Sequence, residues 1–355
     1  MSKHAKDGAL LDELVALSIA VCREAQSWCP RQGPGRKPII PDWVLGVMIM
    51  VAVLLKKKTK SAQYVWWREH ATEFAGWLPG QVFPARSTFF DRYRRVQRLY
   101  RQAIVIQGKE AVRRGWAEAA CVAGDKSLIA GRGPRWNVRD RDKGRVPRGV
   151  DVDTTWGYCQ HDGWVQGYAF EVVVTAPQHG VVWPLLASAD TASRSEQKTI
   201  RDKIPELPEQ TVYVLLDAGY DSNVVGEMVE WKGDQRTGRR LLCPENPRPN
   251  TKRPRKPSSR ETRVRQHHRR LRVERKEFFR TRRGRWLYAR RKTSVEPFHG
   301  QLKHLFELED RVWHRGLENN QTMLLGAIAA YQLLLTYNCC NDRPPANLQC
   351  LMDAL

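Results

Sequence analysis

Thr211-Val212-Tyr213-Val214-Leu215-Leu216, followed at once by Asp217-Ala218-Gly219-Tyr220-Asp221, is the stretch on which the fold turns. Its apolar run contains no charge and does not alternate with polar residues. That marks a strand covered on both faces, as happens when helices flank a sheet. A carboxylate directly after such a strand projects into the crevice where α/β sheets bind ligands. The stretch therefore predicts an α/β domain and makes Asp217 a candidate for chemistry.

The neighbouring sequence extends this reading. Upstream, residues 120–124 form a short apolar run that ends at Asp125. Residues 154–160 and 167–176 flank His161-Asp162-Gly163, a hairpin signal, and 167–174 is rich in β-branched and aromatic residues. A third strand is expected over 181–187 and a helix over 195–204. Downstream, 223–231 reads as helix, 240–243 as a short strand, and 294–306 and 317–337 as helices. This order describes a mixed sheet flanked by helices. Residues 1–115 are helical by pattern, with helices expected over 10–25, 43–55, 61–77 and 87–114. The predicted organisation is a helical DNA-binding region (1–115), an α/β domain (116–340) and a tail (341–355). Ser87 is a plausible helix cap in a basic stretch. Residues 60–115 fit a helix-turn-helix and a packing bundle with a basic outer face equally well.

The chain carries a formal net charge of +22 and a pI near 10.0. Residues 248–292 hold twenty Lys or Arg and three Glu, so most of the excess lies in one segment. Such an excess points to a polyanionic partner, nucleic acid ahead of a membrane surface. The segment opens Pro-rich and continues as a polar helix over 261–280. A core cannot hold a helix of that composition, which suits a phosphate backbone. The eight cysteines include no C-x-x-C pair, and no histidine pair has zinc spacing, so buried free thiols in a reducing cytosol are expected. Residues 1–20 mix charges into their apolar run, unlike a signal peptide. The thirteen apolar residues 43–55 fall short of the roughly 20 needed to span a bilayer, so a buried helix is expected there and no membrane partner.

Asp125 and Asp217 at strand ends, with Glu296 on a helix, could hold two Mg²⁺ ions through oxygen ligands and so activate a water or 3′-hydroxyl against a phosphodiester. In Ser294-Val295-Glu296-Pro297-Phe298-His299-Gly300-Gln301-Leu302-Lys303, positions 295, 298 and 302 form an apolar stripe. Glu296 and Lys303 share a face beside it. A carboxylate for metal and an ammonium for phosphate suit phosphoryl transfer, while an ordinary amphipathic helix would show the same spacing. Asp190 and Glu196 are further acidic candidates, unless they merely complement a helix N-terminus. His267 and His268 are expected to meet phosphate or solvent. Trp136 and Trp286, in basic surroundings, could stack on bases. Gly131-Arg132-Gly133 lacks the features of a nucleotide loop.

Asp217-Ala218-Gly219-Tyr220-Asp221, the Gly167-Tyr168 strand and Val295-Glu296-Pro297-Phe298-His299-Gly300-Gln301-Leu302-Lys303 together resemble the DDE transposases of bacterial insertion sequences. The resemblance runs over roughly residues 30–340. It implies a ribonuclease-H-like catalytic domain interrupted by the basic segment 248–292. It also implies a metal triad of Asp125, Asp217 and Glu296 with two Mg²⁺ (or Mn²⁺) ions, and cleavage and strand transfer of double-stranded DNA. A homodimer on DNA and a bacterial cytoplasmic, nucleoid-associated setting follow from it. Lys303 matches the family's DNA-contacting lysine. The family's tyrosine and arginine positions fall on Ala289 and Lys292, while Tyr288 and Arg291 keep the pair's spacing one residue further out, so Tyr288, Arg291 and Lys292 are all candidate DNA contacts. Two rivals remain: a nuclease of the same fold that cuts without joining, and a domesticated DNA-binding protein without catalysis.

Overall fold

The computed structural model describes residues 3–29, 38–137, 139, 142–145, 148–246 and 263–355. Most of the Pro-rich stretch 244–257 lies outside the described residues. Among the described residues eight strands run in chain order: β1 (Cys121–Ala130), β2 (Thr155–Cys159), β3 (Gly163–Thr175), β4 (Pro184–Thr191), β5 (Tyr213–Leu215), β6 (Trp231–Lys232), β7 (Gln235–Arg236) and β8 (Arg240–Leu242). Among the described residues the main sheet is mixed. β3 pairs antiparallel with β1, β2 and β4, and β1, β5 and β8 run parallel. β6 and β7 form a separate small hairpin.

Side chains alternate faces along a strand. Val214 and Leu216 enter one apolar cluster, with Ile200, Val225 and Val229 of the Glu196–Arg201 and Asn223–Glu230 helices. Leu215 enters the other, with Val295 and Phe298 of the Arg282–Leu305 helix and Leu325 and Ile328 of the Leu317–Cys340 helix. Helices thus cover both faces at β5, which is why its sequence reads as an unbroken apolar run.

The Leu317–Cys340 helix is long and apolar enough to cross a membrane, but 83% of its apolar window is buried within the protein. It packs against the Gln97–Arg113, Asp42–Leu54 and Lys3–Trp28 helices, so N-terminal and sheet residues share one core. Gln332 donates from Nε2 to the carbonyls of Ile104 (2.9 Å) and Pro184 (2.8 Å), fixing this packing polar atom by polar atom.

Several expectations shift. The helix expected over 87–114 breaks at residues 94–96, and its first part is capped at Ala85 without help from Ser87. The Gln97–Arg113 helix after that turn buries Leu99, Tyr100, Ala103 and Ile104, which is bundle packing. The Lys60–Glu69 helix stops short of residue 77. β4 begins at Pro184 because Trp183 and Thr175 close the preceding turn with mutual hydrogen bonds. The helix bearing Glu296 starts at Arg282, not 294, capped by Thr281 Oγ1 accepting from Gly284 N.

The polar Arg263–Arg280 helix is docked on the sheet domain rather than free. Leu271 is buried, Phe278 stacks on Tyr213, and Arg272 Nη2 donates to Asp221 Oδ2 at 2.6 Å. His268 pairs with Glu227 at 2.9 Å, and His267 meets the Trp231 ring, so neither is left to solvent. Trp136 is also buried. Its Nε1 donates to Asp151 O and Thr154 Oγ1, which removes it from base stacking. Trp286 stays half-exposed under Arg290. Of the eight free cysteines, Cys22 and Cys121 are buried and Cys340 and Cys350 are exposed, so burial describes only some of them.

Gly167 sits where β1 and β3 cross closely. A Cβ there would press on Ile129 O and Gly131 N, which are backbone atoms with no rotamer to yield. Gly167→Ala is therefore expected to destabilise the protein by about 1–3 kcal/mol. Denaturant unfolding checks this, and an unchanged midpoint would sink it.

Candidate active site

Two strands and a helix bring the candidate carboxylates together. β1 and β5 pair in parallel with Cys121 opposite Tyr213 and Ala123 opposite Leu215. Carried two residues further, that register sets Asp125 level with Asp217. Both share the parity of Ala123 and Leu215, so both face the layer that holds the Arg282–Leu305 helix. From that helix come Arg291 and Glu296.

Arg291 stands at the centre. Its Nη2 donates to Asp125 Oδ2 at 2.6 Å and lies 4.0 Å from Asp217 Oδ2, while its Nη1 donates to Glu296 Oε1 at 3.3 Å. The guanidinium is 11% exposed, Asp125 16%, Asp217 37% and Glu296 50%, so the cluster opens to solvent on the Glu296 side. Asp217 also caps its own turn by accepting from Gly219 N at 2.8 Å. The carboxylate ends of Glu196 and Asp217 crowd this turn, where a Cβ at Gly219 would meet Glu196 Oε2 and Asp217 Oδ1.

Glu196 is thereby a fourth carboxylate beside the three. It pairs with Lys126 at 3.5 Å, and Lys126 also donates to the carbonyls of Ala192 and Arg194. Asp190 lies apart, paired with Arg194. Lys303 is two turns beyond Glu296 and reaches a different place. Its Nζ donates to Leu128 O at 3.0 Å, on the floor of a groove of about 520 Å³ lined also by Arg132, His161, Trp164 and Arg311. Tyr288 lies one turn before Arg291, half-buried against Phe279, and burial pushes its hydroxyl up to about 12. Lys292 is exposed. The buried His299 is held down to about 3 by burial, with Lys303 and Arg291 adding to it, so it is neutral.

Sequence reasoning missed the central position of Arg291, the Lys126–Glu196 pair and the Arg272–Asp221 anchor. Arg272 carried no local signal, being one arginine in a basic run. Lys126 could have been noted as a cation next to a candidate aspartate. Asp125 itself lies within β1, which runs on to Ala130, and not at a strand end as expected, because the ladder with β3 continues past it.

Burial pushes the Asp125 carboxyl up from the ordinary 3.8 to about 7. Arg291 opposes this, and Asp217 and Glu196 add to it. A carboxyl that holds its proton more tightly when folded stabilises the fold fully below the unfolded value near 3.8, and that contribution is lost as pH rises through about 7. In metal-free protein, Asp125→Asn is expected to gain on the native chain between about pH 5 and about pH 8. Parallel unfolding curves at the two pH values would contradict this.

A cluster of carboxylates set in a strongly basic chain is a combination that suits an enzyme acting on nucleic acid. The chain belongs to the transposase DDE domain family, whose profile matches residues 122–333. No curated protein matches the chain, and no solved structure does. The family makes the chain a transposase, with DNA as its partner.

Proposed function

We propose that this transposase cleaves DNA at the ends of a mobile element and joins it to a target, using two divalent ions, Mg²⁺ or Mn²⁺, held by Asp125, Asp217 and Glu296. The observation that carries the reading is the meeting of these three carboxylates on one cation, the Arg291 guanidinium. The donor set fits the ions, since all-oxygen ligands suit Mg²⁺. As the side chains stand they grip Arg291. Among the described residues no cluster of three or more His, Cys, Asp or Glu is already set for a metal. Loading therefore means exchanging Arg291 for the ions.

When bound, the ions would supply Lewis-acid polarisation of a phosphodiester and charge neutralisation at the leaving oxygen. The chain's own residues bind and orient. Arg291, once released, offers a planar fork of donors to a phosphate, and its buried Nε has no other partner. Lys303, the Tyr288 hydroxyl and the exposed Lys292 extend the same helix as a DNA-facing edge. We read the domain as ribonuclease-H-like on its antiparallel β2-β3-β1 set continued by parallel β5 and β8. Holding two element ends calls for a homodimer on DNA, within the cytoplasm.

A strand-transfer assay with a marked 3′ end tests the reading. Joined product is expected with Mg²⁺ or Mn²⁺. Cleavage without joining would make the protein a nuclease of the same fold, and binding without either reaction a non-catalytic DNA-binding protein.

A further inference from the structure

Away from the carboxylate cluster, a small open pocket lies where the N-terminal helices meet the sheet domain. Its volume is about 340 Å³, and Lys60, Arg132, Trp313, His314, Arg315 and Asn319 line it. Three cations reach it from three separate parts of the chain: Lys60 from the first turn of the Lys60–Glu69 helix, Arg132 from just beyond β1, and Arg315 from the turn before the Leu317–Cys340 helix. No carboxylate lines it.

Two of the cations are held by neutral acceptors. Lys60 Nζ donates to Asn319 Oδ1 at 2.6 Å, and Arg132 Nη1 donates to Trp313 O at 2.8 Å. Arg315 is exposed, and its guanidinium rests over Gly149, where a Cβ would lie 3.4 Å from Nη2. The nearby helix N-terminus is already satisfied, since Gly316 N donates to Asp151 and Leu317 N to Asp153. His314 adds no charge. Burial, then Lys60 and Arg132, hold it down to about 3, and its Nε2 lies 3.0 Å from Tyr93 Oη. Asp151 and Asp153 stand nearby but are turned to the helix N-terminus, and Asp91 acts on Lys60 from outside the lining. Three like charges therefore share a concavity with no carboxylate in its wall, which favours an anion there.

We infer that the Lys60–Arg132–Arg315 pocket is a phosphate site that grips the DNA backbone at a distance from the reacting strand. Arg132 lies seven residues beyond Asp125 along β1 and its extension, which at about 3.3 Å per residue is about 23 Å. With about 3.4 Å of axis per base pair and about 10.5 base pairs per turn, that separation is about seven base pairs, or two-thirds of a helical turn. The pocket's role rests on the reading of the protein as a DNA-cutting transposase. A free polyphosphate would use the same chemistry, so both sources are tested.

The full chain is titrated, without metal, into a labelled duplex at several salt concentrations. Arg315→Gln, alone and with Lys60→Gln, is compared with Lys109→Gln/Lys232→Gln, which removes the same charge at exposed positions elsewhere. The pocket variants are expected to bind about tenfold more weakly, whatever the duplex sequence, with the salt slope reduced by about one. The control pair should change affinity much less. Arg315→Gln alone, at an exposed position, keeps the test valid if the Lys60 variant does not fold. Equal losses in pocket and control variants overturn the inference. So does a pocket that protects the native chain against heat with pyrophosphate, loses this in Arg315→Gln, and leaves duplex affinity untouched. A native chain that binds no duplex at any salt overturns the transposase reading itself, and the pocket's DNA role with it.

Discussion

Asp217→Ala is expected to lower metal-dependent DNA cleavage by roughly 10³-fold or more, the scale seen when one member of a jointly acting catalytic set is removed. The reason is geometric. Asp217 stands level with Asp125 on the neighbouring strand and shares Arg291 with it and with Glu296, so its loss opens the cluster on one side. Alanine also deletes the cap on Gly219 N, which costs about 1 kcal/mol of local stability. Asp217→Asn separates the two effects. Its amide oxygen can still accept from Gly219 N, but it brings no charge to a cation. The asparagine variant should therefore unfold like the native chain and still fail to cut a plasmid carrying the element's ends. Pairing Asp217→Ala with Glu296→Ala should add little further loss, because a broken set cannot be broken twice. Cleavage by Asp217→Asn at a near-native rate would remove Asp217 from the site.

The local part of this site was legible in the sequence, and the relational part was not. A strand that is apolar throughout announces its two covered faces, so β5 and the position of Asp217 at its end could be read from residues 211–217. The stripe of Val295, Phe298 and Leu302 likewise gave the buried side of the Glu296 helix. The pairing register that sets Asp125 beside Asp217 is a contact across 92 positions, and no periodicity encodes it. The docking of the basic helix was hidden in the sequence for a related reason. Arg272 and His268 look like solvated charges until their partners, Asp221 and Glu227, arrive from another part of the chain. Arg291 is the sharpest case. Its residue type suggested a phosphate contact, while its position among three carboxylates depends on the middle of β1 and the end of β5, both far away in sequence.

Behind the cluster, a buried ion pair carries the largest expected effect on stability. Glu171 on β3 is 2% exposed and Lys203 5%, with Nζ and Oε1 2.7 Å apart. Lys203 also donates to Ser188 Oγ and Thr199 O, and Glu171 accepts from Tyr220 Oη at 3.1 Å and from Thr199 Oγ1. The pair thus joins β3, β4, the Glu196–Arg201 helix and the turn that holds Asp217. Burial pushes the Lys203 ammonium below the ordinary lysine range, with Glu171 opposing it, so each charge is tolerated only through the other. Lys203→Met leaves the Glu171 carboxylate buried without its cation and should cost about 3–5 kcal/mol in denaturant unfolding. Glu171→Gln combined with Lys203→Met should cost far less than the two single changes together, since both charges leave at once. Tyr220→Phe, which removes one hydroxyl, should cost about 1 kcal/mol. The same ordering should appear in cleavage, because Tyr220 belongs to the Asp217 turn. A Lys203→Met protein as stable as the native chain would show that the pair does not hold this region together, and additive single losses in the double variant would show that the two charges act independently.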